Sequence, residues 1–549
     1  MSKKFTIIIF LILLNLAIFL RVIDLDKYPP SLNWDEISLG YNAYSILNSG
    51  KDEWGNDFPL TFRAYGDYKL PGYVYLSVPF ISTLGLNEWG VRLLSAISGV
   101  GTVVLIFFIL KQISTIPVAL WGMFLAAILP WGIILSRIAL EANLALFLTT
   151  ASIWAFLKGL RNSNLLILSA VLLGLSIFTY NSSRVIAPLI IISCCILFRR
   201  ELIQYRLQIL ISLVIFIVFF TIAVPLAILS DSSARYRWTT ILDEGAIQQI
   251  NTLRGESNLP DPFKRLAYNK VNYFASHAFS GYIAHFDPKF LFFTGGSHYQ
   301  YSIPGQGLLY PIFMPLLILG LIFAIKKRDP FNIFLLAFLA ISPIPASITR
   351  DSPHALRSLM MILPLIMLSA IGVDYFIKLI KSQKIIFVLI ILFALSFWFF
   401  WQNYTGEYPK KYSWAWQYGY KEAVDYISTN YDKYDSIIVT KKYGEPHEFV
   451  LFYMGWDPKR FGSDPNLVRF QRSDWYWVDR FDKFYFVNDW QIPKETDEPW
   501  VMESGGKVPV YGRILLVSSP ENHPDGWKRI KIINFLDGKE AFEILEKYD

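Results

Sequence analysis

Long apolar runs alternate with short polar segments along this chain, and the runs set the first expectation. They fall near residues 5–23, 89–111, 116–136, 142–160, 165–180, 185–198, 207–229, 306–325, 331–347, 356–377 and 385–402. A helix crossing a hydrocarbon core of ~30 Å needs roughly 20 apolar residues, and a few of these runs are short for it. The pattern predicts about eleven membrane-spanning helices, hence a polytopic α-helical membrane protein. Three regions interrupt it: 24–88, 230–305, and a tail from 403 onward. No internal repeat is visible.

The short polar segments orient the model. Lys3 and Lys4, Lys111, Lys158 and Arg161, Arg199, Arg200 and Arg206, Lys326 to Arg328, and Lys378, Lys381 and Lys384 all fall on alternate connections. Cytoplasmic connections carry the excess of Lys and Arg, so the N-terminus is expected inside a cytoplasmic membrane. An odd helix count then places 24–88, 230–305 and the tail outside. The first helix lacks a small-residue cleavage site after Leu20-Arg21-Val22 and reads as a retained anchor.

Composition agrees: 54% of residues are hydrophobic, 17% aromatic and 17% charged, and mean hydropathy is +0.37. The net charge of +7 follows from the loop bias, and no basic, aromatic-interleaved face suggests nucleic acid. Cys194 and Cys195 are adjacent inside an apolar run, so they neither staple an outer domain nor offer metal-ligand spacing.

We therefore expect a membrane domain over 1–402, with outer loops 24–88 and 230–305, and an extracytoplasmic domain over 403–549. In the tail, strand-like 436–440, 483–487 and 513–517 alternate with helical stretches near 414–426, 447–454 and 539–547. That alternation favours a small α/β domain. Nothing in it resembles a nucleophile elbow or a phosphate-cradling glycine loop.

The first outer segment holds the densest chemistry. Trp34, Ile37, Tyr41, Tyr44 and Leu47 recur at helical spacing and suit helices lying on the membrane interface. Asn33 is a good N-cap, and Glu36 is placed to close a capping box. That leaves Asp35 without a structural task and makes it a candidate catalytic acid or base. Further on, Arg63-Ala64-Tyr65-Gly66-Asp67-Tyr68-Lys69 precedes Leu70-Pro71, where Pro71 suits the first turn of a helix to about Ser82. Lys69 beside that helix start either makes an anion site, with Arg63 and Tyr68 as neighbouring substrate contacts, or snorkels to the surface.

Other outward turns add candidates. Glu141 sits four residues after Arg137, so the two either pair with each other or share the cavity of Asp35. In Ser352-Pro353-His354-Ala355-Leu356-Arg357, His354 and Arg357 fall in the first turn of an expected helix. Cations there are unfavourable unless an anion is bound. Gly295-Gly296 beside His298 and Tyr301 forms a tight turn or a sugar-contacting loop. Residues 251–262 read as a mobile lid. Asp35, Glu36 and Glu141 offer hard oxygen ligands suited to Mg²⁺ or Mn²⁺, while no histidine-rich zinc pattern occurs; metal dependence stays open.

Asn33-Trp34-Asp35-Glu36, Asp67-Tyr68-Lys69-Leu70-Pro71-Gly72-Tyr73 and Asn87-Glu88-Trp89-Gly90-Val91-Arg92-Leu93 together resemble the first outer loop of the GT-C membrane glycosyltransferases. The lipid A aminoarabinose transferases and protein O-mannosyltransferases are the branches most like it. The order of motifs is similar over roughly 1–402, and the tail matches in position and type. The resemblance implies transfer of a sugar from a polyprenyl-phosphate carrier to a lipid, glycan or protein hydroxyl outside the membrane. It makes Asp35 the base, Lys69 the donor-phosphate lysine and Glu141 a second cavity acid. Two departures, Lys69-Leu70-Pro71 for Lys-Pro-Pro and Glu141 for an aspartate, leave sugar and acceptor undetermined.

The competing class is a transporter or flippase of a lipid-linked sugar. Transporters commonly carry ionisable residues near the bilayer midplane and inverted repeats. Here the acids cluster at the outer ends of helices, which favours chemistry at the interface.

Overall fold

The computed structural model describes residues 2–228, 239–495 and 499–547. Parts of the expected 207–229 helix, the 230–305 loop and the tail (229–238, 496–498, 548–549) lie outside the described residues. The chain packs as two compact units, one of residues 1–23, 95–136 and 140–401, the other of 24–94, 137–139 and 402–549. The expected division kept the first outer segment with the membrane helices. Packing instead groups it with the tail.

The first unit is helical. Among the described residues of the chain, seven helices are long and apolar enough to cross a membrane: Lys3–Val22, Glu88–Ile113, Glu141–Gly159, Arg199–Ala223, Pro330–Ser347, Leu359–Ile380 and Lys384–Trp416. The pair Ile116–Ile128 and Pro130–Ser136 makes an eighth if taken as one span, bent by 56°. Asn164–Ile177 and Asn181–Leu197 are apolar but shorter. Each of the eleven expected runs is at least partly helical, so the element order matches, whereas the count of eleven crossings is not reached by length.

The 56° break has a local cause. Pro130 has no N–H to give Ala126 and drives Leu129 into an extended conformation, φ −64° and ψ 124°. The released carbonyls are caught from elsewhere in the unit. Buried Arg21 donates from Nη2 to Ala126 O at 3.1 Å and from Nη1 to Ala127 O at 3.2 Å, and Tyr310 Oη donates to Ile128 O at 2.7 Å. Buried backbone acceptors without partners are costly in an apolar medium, so Arg21 has a structural role.

Gly320 and Gly372 let the Phe313–Lys327 and Ile362–Ile380 helices touch backbone to backbone. A Cβ on Gly320 would overlap Leu368 O, and one on Gly372 would overlap Leu316 O. Residues 251–262 are mostly helical rather than a loop. Asp243 caps Glu244–Glu256 by accepting from Ala246 N at 2.8 Å, Arg254 donates to Tyr268 O, and Asp261–Ala267 follows with a proline in its first turn.

The second unit combines the first outer segment with the tail. From the segment come helix Trp34–Ser49, strands β1 (Phe62–Arg63) and β2 (Tyr68–Lys69), and helix Pro71–Leu84. The tail builds a mixed sheet from β3 (Ser436–Thr440), β4 (Val468–Arg472), β5 (Trp475–Phe481), β6 (Phe484–Val487), β7 (Ile514–Ser518), β8 (Lys528–Asn534) and β9 (Glu540–Lys547), in the order β4-β5-β6-β3-β7-β9-β8. Only the central β3 is parallel to its neighbours β6 and β7. The final stretch, 539–547, is therefore strand β9 and not the expected helix. Its residues 541–546 are buried between β7 and β8, and Glu543 is charge-matched by Arg529 at 2.8 Å. A run covered on both faces carries no period-2 signature to mark it as strand.

Candidate active site

The start of the Trp34–Ser49 helix is held as the sequence requires. Asn33 Oδ1 accepts from Glu36 N at 3.0 Å, and Glu36 Oε2 accepts from Asn33 N at 3.2 Å, closing a capping box. Glu36 goes further than a cap. It is fully buried, and its oxygens also accept from Arg92 Nε and Nη2 at 2.9 and 3.0 Å and from Ala139 N at 2.9 Å. Arg92 in turn donates to the carbonyls of Leu25, Pro29 and Ser31. This corrects the expectation of Glu36 as a substrate contact or metal ligand, because its carboxylate is saturated inside the protein.

Asp35, one residue earlier, faces elsewhere. Neighbouring helical residues point about 100° apart, and Asp35 forms an ion pair with Lys69 Nζ while keeping 35% of its side chain exposed. Lys69 is buried at 7%. Its position is set by the β1–β2 ribbon, where Phe62 pairs with Lys69 and Arg63 with Tyr68, two residues before Pro71 opens its helix. The fold thus brings Asp35 and Lys69 to one place. Arg63 donates from Nε to Tyr68 Oη at 2.8 Å and lies over the rings of Trp54 and Tyr476 at 4.9 and 4.5 Å, a cation–π setting. Arg137 is buried and donates to the carbonyls of Asp24 and Tyr28, with its guanidinium over Tyr404.

Sequence reading missed what the tail adds. Gln417 Oε1 accepts from Trp34 N at 2.8 Å; Trp475 stacks on Tyr65, whose hydroxyl donates to Trp34 O at 2.6 Å. Helix Pro446–Tyr453 lies against Trp34–Ser49, where a Cβ added at Gly40 would fall 2.7 Å from Phe452 Cε2. Gly444-Glu445-Pro446-His447-Glu448 at its start brings two more buried carboxyls. Burial pushes the Glu445 pKa up to about 8, opposed by the hydrogen bond from Trp475 Nε1 at 2.6 Å. Burial likewise raises Glu53 to about 7 and Glu448 well above the carboxylate range, and drives His447 well below the ordinary imidazole value. The only sequence signal was the Gly-Glu-Pro-His-Glu run itself.

The remaining candidates belong to the first unit. Glu141 opens the Glu141–Gly159 helix, where the helix dipole favours an acid. His298 stacks on Tyr301 at 4.2 Å, and both rings lie about 6 Å from His354 (6.3 and 5.9 Å), so this trio is gathered at one place. Residues 354–357 precede the helix, which begins with a 3-10 turn at Leu359–Met361 and is α-helical from Ile362. The cation-at-a-helix-start argument for His354 and Arg357 therefore does not apply. His354 Nδ1 instead accepts from Leu356 N and Arg357 N, and Arg357 donates to Thr349 Oγ1 at 2.8 Å with Asp351 at 3.6 Å.

Among the described residues no group of three or more His, Cys, Asp or Glu is placed to hold a metal ion. Of the three acids considered as Mg²⁺ or Mn²⁺ ligands, Glu36 does not fit that task, because its carboxylate is saturated by Asn33 N, Arg92 and Ala139 N.

Residues 70–224 match the family described as dolichyl-phosphate-mannose-protein mannosyltransferase. No curated protein matches the chain. ArnT from Cupriavidus metallidurans bound to undecaprenyl phosphate is similar over 100% of this chain and 98% of that one, at 12% identity and a TM-score of 0.53. The Archaeoglobus fulgidus oligosaccharyltransferase tethered with an acceptor peptide is similar over 82% of this chain, at 14% identity and a TM-score of 0.49; the match spans 63% of that protein's length. For the mycobacterial arabinofuranosyltransferase AftD the values are 99% of this chain, 41% of that one, 11% identity and 0.42.

Proposed function

We infer that this chain, a multi-pass membrane protein of the GT-C glycosyltransferase fold, is itself a glycosyltransferase. It moves a sugar from a polyprenyl-phosphate donor to a hydroxyl acceptor at the outer face of the cytoplasmic membrane, with the N-terminus inside. The Asp35–Lys69 pair carries this reading, since it joins a partly exposed carboxylate to a buried ammonium beside a helix start. The undecaprenyl phosphate bound by the ArnT of similar fold supports the donor class.

In the reaction, the acceptor oxygen attacks the anomeric carbon while Asp35 takes its proton. The bond from that carbon to the phosphate oxygen breaks on the opposite face, and the lipid phosphate leaves with the electron pair. The configuration inverts. Lys69 pairs with Asp35 before the reaction and offers positive charge to the departing phosphate. General-base help contributes about 10²- to 10⁴-fold, and fixed charge at a developing anion adds to it. Glu141, Arg63, Tyr68 and the group of His298, His354 and Arg357 are further candidates for substrate contact. Purified protein incubated with polyprenyl-phosphate hexoses and pentoses tests the assignment: it predicts loss of at least one donor, and stable donors across the panel with acceptor present would contradict it.

A further inference from the structure

Two buried carboxyl groups face each other where the tail meets the turn after the Trp34–Ser49 helix. Glu448 is fully buried and Glu53 is 6% exposed, and each carboxyl shifts the ionisation of the other. Glu53 Oε1 accepts from Trp54 Nε1 at 2.9 Å, but Glu53 Oε2 and both oxygens of Glu448 receive no hydrogen bond from any N–H or O–H group among the described residues. Carboxylate charge buried where no donor reaches it is costly, so these unmet oxygens call for a carboxyl proton. A metal ion is the other way to join buried carboxylates, and no three such ligands are gathered here among the described residues.

The surroundings explain why the proton stays. Arg469 Nη2 donates to the backbone carbonyl of Glu53 at 2.5 Å and its guanidinium covers the Trp54 and Phe461 rings; its charge favours an ionised Glu53, which leaves the proton to Glu448. His447 Nε2 lies 3.9 Å from Glu448 Oε1, and burial together with Arg469 and Lys441 keeps this ring neutral. Lys69 from β2 favours ionisation of Glu448, but Glu53, Glu445 and burial oppose it. Asp52 adds negative charge beside Glu53, and Tyr41 and Tyr65, raised by burial and then by these carboxylates, stay neutral. Two like charges buried in contact cannot both ionise at neutral pH.

We propose that Glu448 and Glu53 share one proton and act as a positioning pair, through which the tail fixes the helix that presents Asp35 to Lys69. The tail already holds the N-terminus of that helix through Gln417 and Trp34 N. Midway along the helix, Glu53 N donates to Asn42 Oδ1 at 3.2 Å, so fixing Glu53 holds the helix at a second point. The functional consequence rests on the proposed transferase reading; the shared proton does not.

The test compares Glu448→Gln with Glu448→Ala, reading thermal unfolding in detergent and donor consumption across pH 5 to 9. A glutamine N–H donates to Glu53 without titrating. Glu448→Gln should therefore keep the wild-type melting temperature near pH 6, recover most of the turnover that Glu448→Ala loses by tenfold or more, and weaken the alkaline fall in melting temperature. Overturning results are Glu448→Gln melting as low as Glu448→Ala, Glu448→Gln failing to fold, or an unchanged alkaline fall in Glu448→Gln. Unfolding decides the pair even if no donor is consumed, so failure of the transferase reading is recognised separately, by inactive wild type.

Discussion

Glu36 and Arg92, both fully buried, form a two-point ion pair in which Arg92 Nε and Nη2 donate to Glu36 Oε1 and Oε2 at 2.9 and 3.0 Å. The pair lies one residue from Asp35, and it ties the capping box to the carbonyls of Leu25, Pro29 and Ser31. Removing one partner leaves the other charged, buried and unmatched. Arg92→Ala should cost about 3–5 kcal/mol of stability, read as a lowered unfolding midpoint in detergent. An unchanged midpoint would mean that the charge is matched by other groups.

Gly40 should tolerate no side chain. Its added Cβ would meet Val91 Cγ2 and Phe452 Cε2 at 2.6 and 2.7 Å, between the Trp34–Ser49 and Pro446–Tyr453 helices. Gly40→Leu should destabilise by about 1–3 kcal/mol and increase proteolysis at the start of the tail. Wild-type melting and cleavage would show that the two helices are not locked together.

Stability should fall as pH rises from about 4.5 to about 8. Glu445 ionises near the ordinary 4.5 when unfolded but at about 8 when folded, and Glu53 at about 7. Folding therefore takes up protons between these values. The contribution is complete below about 4.5 and is lost as pH rises through 7 to 8. Melting temperature measured from pH 5 to 9 should fall in this window, and Glu445→Gln should make the fall shallower. A melting temperature that climbs to pH 9 would refute the assignment of protons to these groups.

Lys69 should matter to chemistry more than to folding. Lys69→Ala is expected to lower donor turnover by about 10²- to 10³-fold, the scale of losing one charge-stabilising donor. Parallel unfolding curves check that the loss is not one of fold.

Much of the first outer segment was legible because local rules govern it. Asn33 and Glu36 at three-residue spacing define a capping box, and Pro71 opens its helix as its fixed φ dictates. The apolar runs likewise gave the helical order. What the tail does to the site was not legible, because Gln417, Glu445, Glu448 and Trp475 approach Trp34 and Glu53 from some 380 residues away or more, across contacts no local pattern encodes. Strand β9 escaped notice because burial on both faces removes alternation. Residues 354–357 misled because Pro353 licenses a helix start that the chain delays to Leu359.

The central claim is that Asp35 takes the acceptor's proton. Its most direct test is single-turnover donor consumption by wild type and Asp35→Asn, with matched unfolding curves. Asparagine keeps the shape of the side chain and cannot accept the proton. The account predicts a rate lowered by about 10²- to 10⁴-fold with stability near wild type. Asp35→Asn consuming donor at the wild-type rate would remove Asp35 from the mechanism.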